Sequence, residues 1–200
     1  MRIILASASP RRKELLASVC RKFEIIIAET DETLSPDTSP ENGVEILACR
    51  KGSAVADKLL SCGQELSETL ILSSDTLVEI DGVQLGKPKN KPEAFYMLKS
   101  LSGRVHNVRT GVAVHYNGCV TSGVATTAVV FRKLTDDEIW DYIETGEPMD
   151  KAGAYGIQGL GGKFVDTIDG DFDTVVGLPI KLTKLLAKEI TGEWVFGEML

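Results

Sequence analysis

Arg11 and Arg12 stand in the first turn of a helix, a place where basic side chains are disfavoured. In "ILASASPRRKELL" (residues 4–16), Ser9 is a good N-cap and Pro10 suits the first helical position. Ile3, Ile4 and Leu5 before them read as a short buried strand, and Glu14, Leu15 and Leu16 continue the helix. A helix N-terminus already carries unpaired N–H groups and partial positive charge. Removing Arg12 should therefore leave stability unchanged or raise it slightly. What the two arginines offer is chemistry. Strand, small-residue turn "ASAS" and helix start form a cradle of N–H groups, and two guanidinium forks add a clamp for phosphate oxygens. A solvated helix end whose arginines pair with nearby acids fits the local pattern equally well. The cradle is no Walker A loop, because GxxxxGK[ST] is absent, and no GxGxxG follows the strand.

Two acids could work with such a clamp. Asp75 interrupts the apolar run "ILSSDTLVE", and Glu32 lies in "ETDET" just past a strand. Carboxylates at strand ends hold hard divalent ions that also bind phosphates. Asp75 as a turn cap and Glu32 as a solvated loop acid are the plainer alternatives. Lys51 in "ACRKG" and Lys87 in "LGKP" are further cations, though lysines usually lie on solvated faces. "GEPMDKAGAYGIQG" packs four glycines into 14 residues, which suits plain turns or a segment of close approach. His106, in the alternating "RVHNVRTGVAV", reads as a strand residue rather than a base. Cys20, Cys49, Cys62 and Cys119 form no CxxC pair and read as reduced thiols, not as a zinc site or disulfide framework.

These residues must be positioned by strands that alternate with helices. The order is strand 2–6, helix 10–19, strand 23–28, an acidic loop, then a helix over 43–60. Residues 69–88 read as a strand, a break at Ser74–Asp75, and a hairpin around Asp81–Gly82. A helix from "KPEAFYMLKSLSG" precedes two strands that turn at Asn117–Gly118. Residues 135–146 open with Thr135 as N-cap and Glu138 three residues on, a capping box. A strand near 163–168 and a final helix follow. The class is α/β with antiparallel hairpins, and both ends of the chain should meet in one cleft. With 200 residues, 43% of them hydrophobic, the chain can build a substantial core. Its net charge of −7 argues against a general nucleic-acid or membrane-surface binder, so any anion site must be a local concentration of bases. No apolar run reaches signal-peptide or membrane-spanning length, so a soluble, cytoplasmic protein is expected.

Five stretches in order, "LASASPRRKELL", "SSDTLVEIDGVQLGKP", "LSGRVHNVRTGVAV", "YIETGEPMDKAGAYGIQG" and "VVGLP", resemble the Maf family of nucleoside triphosphate pyrophosphatases. The likeness runs from about residue 3 to 180. It implies one Maf-like domain over residues 1–200, a two-lobed mixed-sheet α/β fold similar to the inosine triphosphate pyrophosphatases and Ham1-like proteins, with a cleft between the lobes. It also implies hydrolysis of nucleoside triphosphates to monophosphate and pyrophosphate, a divalent cation (Mg²⁺, Mn²⁺ or Co²⁺) and a homodimer. Ser7, Arg11, Arg12, Lys51 and Lys87 match positions that hold the triphosphate. Glu32 and Asp75 match acids implicated in metal binding and water activation, and Gln158 matches a position implicated in base recognition.

Lys151 and Gln158 are similar to the subgroup acting on dTTP and UTP rather than the one acting on 7-methyl-GTP. Two departures stand out: "GDFDTVVGLP" replaces the common "GSYxNVVGLP", and Val105 replaces a usual threonine. The Asp171 and Asp173 carboxylates would oppose substrate contact by their loop. The C-terminal "AKEITGEWVFGEML" matches no family role. The competing readings are a non-catalytic nucleotide-binding regulator of cell division, as Maf proteins are linked to septum inhibition, and a pyrophosphatase of the 7-methyl-GTP subgroup.

Overall fold

The computed structural model describes residues 1–198. Strand β1 (Arg2–Leu5) leads into helix α1 (Pro10–Val19), where Ser9 Oγ accepts the Arg12 N–H at 3.5 Å and Pro10 occupies the first turn. Strand β2 is only Glu24–Ile25, shorter than expected, and both residues are exposed. Helix α2 (Pro40–Ser61) starts three residues before the expected position, because Ser39 caps it through the Asn42 N–H (3.2 Å) and Pro40 sets the first turn. Strand β3 (Thr69–Ile80) turns at Asp81–Gly82 into β4 (Val83–Leu85). Helix α3 (Lys91–Leu101), strands β5 (Val105–Tyr116) and β6 (Cys119–Phe131), and helix α4 (Asp136–Glu144) follow. Asn117 and Gly118 both take positive φ (49° and 78°) between β5 and β6, the backbone of a tight hairpin turn. The capping box at Thr135 and Glu138 is formed. Strand β7 (Val165–Asp169), a short helix α5 (Phe172–Val176) absent from the sequence reading, and α6 (Ile180–Thr191) complete the order.

The strands form a mixed sheet ordered β2-β1-β3-β5-β6-β7, with β4 on β3. β1 runs parallel to β2 and β3, as crossovers through helices require, whereas β4 and β7 pair antiparallel.

The break expected at Ser74–Asp75 is absent. The Ser73 hydroxyl donates to the Ala48 carbonyl (2.7 Å), the Ser74 hydroxyl to the Gly177 carbonyl (3.0 Å), and Asp75 pairs with Lys51. With each polar group satisfied, β3 passes through them unbroken.

The chain divides into two compact units. The first comprises Met1–Asp75, Thr110–Ala125 and the residues from Gly177 on. Alternation along its strands sends Leu5, Leu70 and Leu72 to one face, against Leu16 of α1 and Leu186 of α6, while Ile4 and Ile71 meet Val55 and Leu59 of α2 on the other. Gly111 lets α2 come down on β5, since a Cβ there would lie 2.4 Å from the Val44 carbonyl oxygen. After α6 the chain turns at Gly192 and returns Val195 and Phe196 to the core beside Leu186, so the C-terminal stretch covers apolar surface. Met199 and Leu200, which end "AKEITGEWVFGEML", lie outside the described residues.

The second unit comprises Thr76–Arg109 and Thr126–Val176. Its core joins Leu98 and Leu101 of α3, Ile139, Tyr142 and Ile143 of α4, and the Phe131, Tyr155 and Phe164 rings. His106 is sealed in it, with Nε2 2.9 Å from the Tyr155 hydroxyl, and burial pushes its imidazole down to about 4.

Candidate active site

The first unit gathers the expected charges around the start of α1. Arg12 points back across the turn instead of outward. Its Nη1 donates to the Ser74 carbonyl (2.7 Å) and to Ser7 Oγ (3.4 Å), and its Nε donates to the Gly177 carbonyl (3.0 Å). Ser7 is almost fully buried and also accepts the Ser9 N–H at 3.2 Å. Gly177 can offer its carbonyl because its backbone sits at φ 119°, a region that favours glycine. Burial pulls the Arg12 guanidinium below its ordinary pKa, and the Asp75 carboxylate opposes that shift. Arg11, on the same turn, is half-buried and bonded to nothing among the described residues.

The acids meet a lysine. Lys51 projects from α2, and its Nζ lies 2.5 Å from Asp75 Oδ1 and 2.8 Å from Glu32 Oε1. Asp75 and Lys51 are mostly shielded, with side chains 16% and 21% exposed, whereas Glu32 is 62% exposed and forms the open side. Ser7, Arg12, Glu32, Lys51 and Asp75 thus come together, with Arg11 on the same helix end. The expectation that Arg12 is dispensable for stability does not fit these contacts. Two carbonyl acceptors from distant segments, with Ser7 Oγ nearby, should outweigh the few tenths of a kcal/mol that a helix dipole charges a base.

Two carboxylate oxygens converging on one ammonium mark a place that favours a cation. They fit a hard divalent ion, which takes one or two carboxylates and completes its shell with water and phosphate oxygens. Among the described residues no group of three or more His, Cys, Asp and Glu forms a fuller metal cage. A separate cleft along α2 is lined by Glu29, Asp31, Glu45 and Asp57 against a single base, Arg50, and so suits a polyanion poorly.

Lys87 and Gln158 belong to the second unit. Lys87 is exposed in the stretch after β4, and Gln158 is exposed on a turn; neither side chain is bonded among the described residues. Lys151 is committed locally, its Nζ donating to the Glu147 carbonyl and to Asp150 Oδ1, both at 2.7 Å. In the divergent loop the Asp171 carboxylate accepts the Asp173 N–H at 3.2 Å and its carbonyl accepts the Thr127 hydroxyl at 2.9 Å, so the loop's acid caps α5. Sequence reasoning missed Ser74 and Gly177 as the anchors of Arg12. The signal for Ser74 was a polar pair inside an apolar strand.

A profile of the Maf-like protein family matches residues 2–190. A dTTP/UTP pyrophosphatase of Thermococcus kodakarensis is 49% identical over 180 residues, 90% of this chain and 92% of the relative. One of Bdellovibrio bacteriovorus is 47% identical over 189 residues, covering 93% of this chain and 97% of the relative. One of Bacillus velezensis is also 47% identical, over 188 residues, 94% and 96% of the two chains. Among solved structures the Staphylococcus aureus Ham1 protein shares the fold, with a TM-score of 0.50 at 14% identity, covering 94% of this chain and 90% of that one.

Proposed function

The chain belongs to the Maf-like protein family, and from that premise we propose that it hydrolyses dTTP and UTP to the nucleoside monophosphate and pyrophosphate. The observation that carries this reading is the pair of carboxylates, Asp75 and Glu32, converging on Lys51 near Arg12. A protein that only bound triphosphate would gain nothing from added negative charge. Two acids beside the bases suit turnover better than a regulator's binding site.

The bases hold and stabilise the polyanion. The Arg11 N–H at the start of α1, the Ser7 hydroxyl and the Arg11 guanidinium take phosphate oxygens, and Arg12 keeps the turn and its charge in place. Lys51 and Lys87 are the further phosphate contacts of the proposal. Asp75 accepts the proton of the attacking water as the α–β anhydride bond breaks, and the pyrophosphate leaving group carries its charge toward the bases. Asp75 and Glu32 would hold a divalent metal, Mg²⁺, Mn²⁺ or Co²⁺, which when bound supplies charge neutralisation at the phosphate oxygens. Gln158 reads the base: its amide oxygen accepts from N3–H of uracil or thymine, and its NH₂ donates to O4. Cytosine reverses that pattern. We also propose a cytoplasmic homodimer, supported by the family resemblance, with sedimentation equilibrium as the test of assembly.

The reading is tested by product analysis on UTP and dTTP with Mg²⁺ or Mn²⁺. Monophosphate and pyrophosphate should appear in equal amounts and should vanish on chelation. Release of orthophosphate and nucleoside diphosphate, or binding without turnover, would overturn it.

A further inference from the structure

The turn that carries Gln158 is gripped from beneath by one carboxylate. Glu147 Oε1 accepts from the Tyr142 hydroxyl (2.9 Å) and the Gly161 N–H (3.2 Å), and Oε2 accepts from the Leu160 N–H (2.9 Å). The Tyr142 oxygen in turn accepts the Gly156 N–H at 3.2 Å. Backbone on both sides of Gln158 is therefore tied to one Glu–Tyr pair.

The glycines show how close the fit is. A Cβ at Gly159 would lie 2.4 Å from Glu147 Oε1, and one at Gly161 would lie 2.7 Å from the Tyr142 hydroxyl. Lys151 fixes the other end of Glu147 by bonding its carbonyl at 2.7 Å. Burial resists ionisation of Glu147, but the Leu160 and Gly161 N–H groups and the Tyr142 hydroxyl outweigh it and hold the carboxyl below its usual range. Three donors meet an acceptor that must be charged and of this length.

We propose that Glu147, with Tyr142, is a positioning residue for base selection, holding the 156–161 turn so that the Gln158 amide starts from a fixed place within reach of the base. The proposal rests on the reading of Gln158 as the base reader. The physical need is plain. Hydrogen bonds to uracil form only at about 2.7–3.2 Å, so a turn that shifts would cost UTP its two amide bonds while CTP, which makes neither, would lose little.

The test is a comparison of kcat and KM on UTP and CTP for Glu147→Gln, Tyr142→Phe, Gln158→Ala and the Glu147→Gln/Gln158→Ala double variant. Glu147→Gln keeps the side chain's size but turns an NH₂ toward groups that donate. The UTP/CTP ratio of kcat/KM should fall about 10-fold for Glu147→Gln and about 3-fold for Tyr142→Phe, mainly through KM for UTP. Gln158→Ala alone should collapse the ratio, and adding Glu147→Gln to it should lower the ratio no further.

Equal losses on UTP and CTP in both clamp variants would overturn the proposal and leave a purely structural role. A collapse in Gln158→Ala with an unchanged ratio in both clamp variants would overturn it while Gln158 stands as base reader. An unchanged ratio in Gln158→Ala would remove the base-reading role and the proposal with it.

Discussion

Arg12 and Arg11 are neighbours in sequence with different work to do. Arg12 holds the Ser74 and Gly177 carbonyls and Ser7 Oγ, while Arg11 is bonded to nothing among the described residues. Arg12→Ala should lower stability by about 1.5–3 kcal/mol, the range of hydrogen bonds to a charged group, because the Ser74 carbonyl loses its charged donor and the Gly177 carbonyl keeps only the Ser74 hydroxyl. Arg11→Ala should leave the melting temperature unchanged and weaken triphosphate use. Thermal denaturation of the two variants side by side checks this, and equal melting temperatures would refute the division. Asp75→Asn keeps the size of the side chain and removes the charge that meets Lys51. It should abolish at least about 99% of turnover with the fold intact, the loss expected for a general base or metal-holding carboxylate. Retention of more than about a tenth of wild-type activity would exclude that role.

At the scale of elements, α2 and β3 set the position of Lys51 against Asp75. Gly52, the next residue after Lys51, lets α2 settle on the strands: a Cβ there would lie 2.2 Å from His115 Nε2 and 2.8 Å from Ser73 Oγ. Both neighbours are buried and have little room to give. Gly52→Ala should therefore destabilise by about 1–3 kcal/mol and depress turnover by displacing Lys51. An unchanged melting temperature and rate would show that α2 has slack.

Elements fixed by local chemistry were legible in the sequence. Ser9–Pro10, the Thr135–Glu138 capping box and the Asn117–Gly118 turn each form where their residues require. The continuity of β3 was not legible, because Asp75 is paired by a lysine 24 residues earlier and Ser74 by a carbonyl 103 residues later. The start of α2 was misplaced because Ser39 and Pro40, in an acidic Pro-containing stretch, look like loop until the cap forms. The role of Glu147 was hidden because two of its three donors are backbone N–H groups, which no side-chain pattern announces.

For the whole molecule, two buried histidines set the response to mild acid. Burial holds His106 at about 4 and lowers His115 as well, against an unfolded value near 6.5. Between those values the unfolded chain binds more protons than the folded one. Stability is therefore complete above about pH 6.5 and falls as pH drops through that window. His106 alone accounts for roughly 3 kcal/mol over the full range. Carboxyls held low in the folded state, such as Glu147, add their loss only below about pH 4.5. Urea denaturation at pH 7.5 and 5 should show a lower midpoint at pH 5, and His106→Gln should shrink the difference; a midpoint independent of pH would contradict it.

The proposed function has two parts, cleavage by the carboxylates and bases of the first unit and base reading by Gln158. The rate of pyrophosphate release from UTP, dTTP, CTP, dATP and 7-methyl-GTP, with Mg²⁺ or Mn²⁺ present, tests it most directly. UTP and dTTP should be cleaved at least about 10-fold more efficiently than CTP or dATP, as unpaired groups at roughly 1–3 kcal/mol each require, with 7-methyl-GTP poor. Equal rates on UTP and CTP, or a preference for 7-methyl-GTP, would contradict the account.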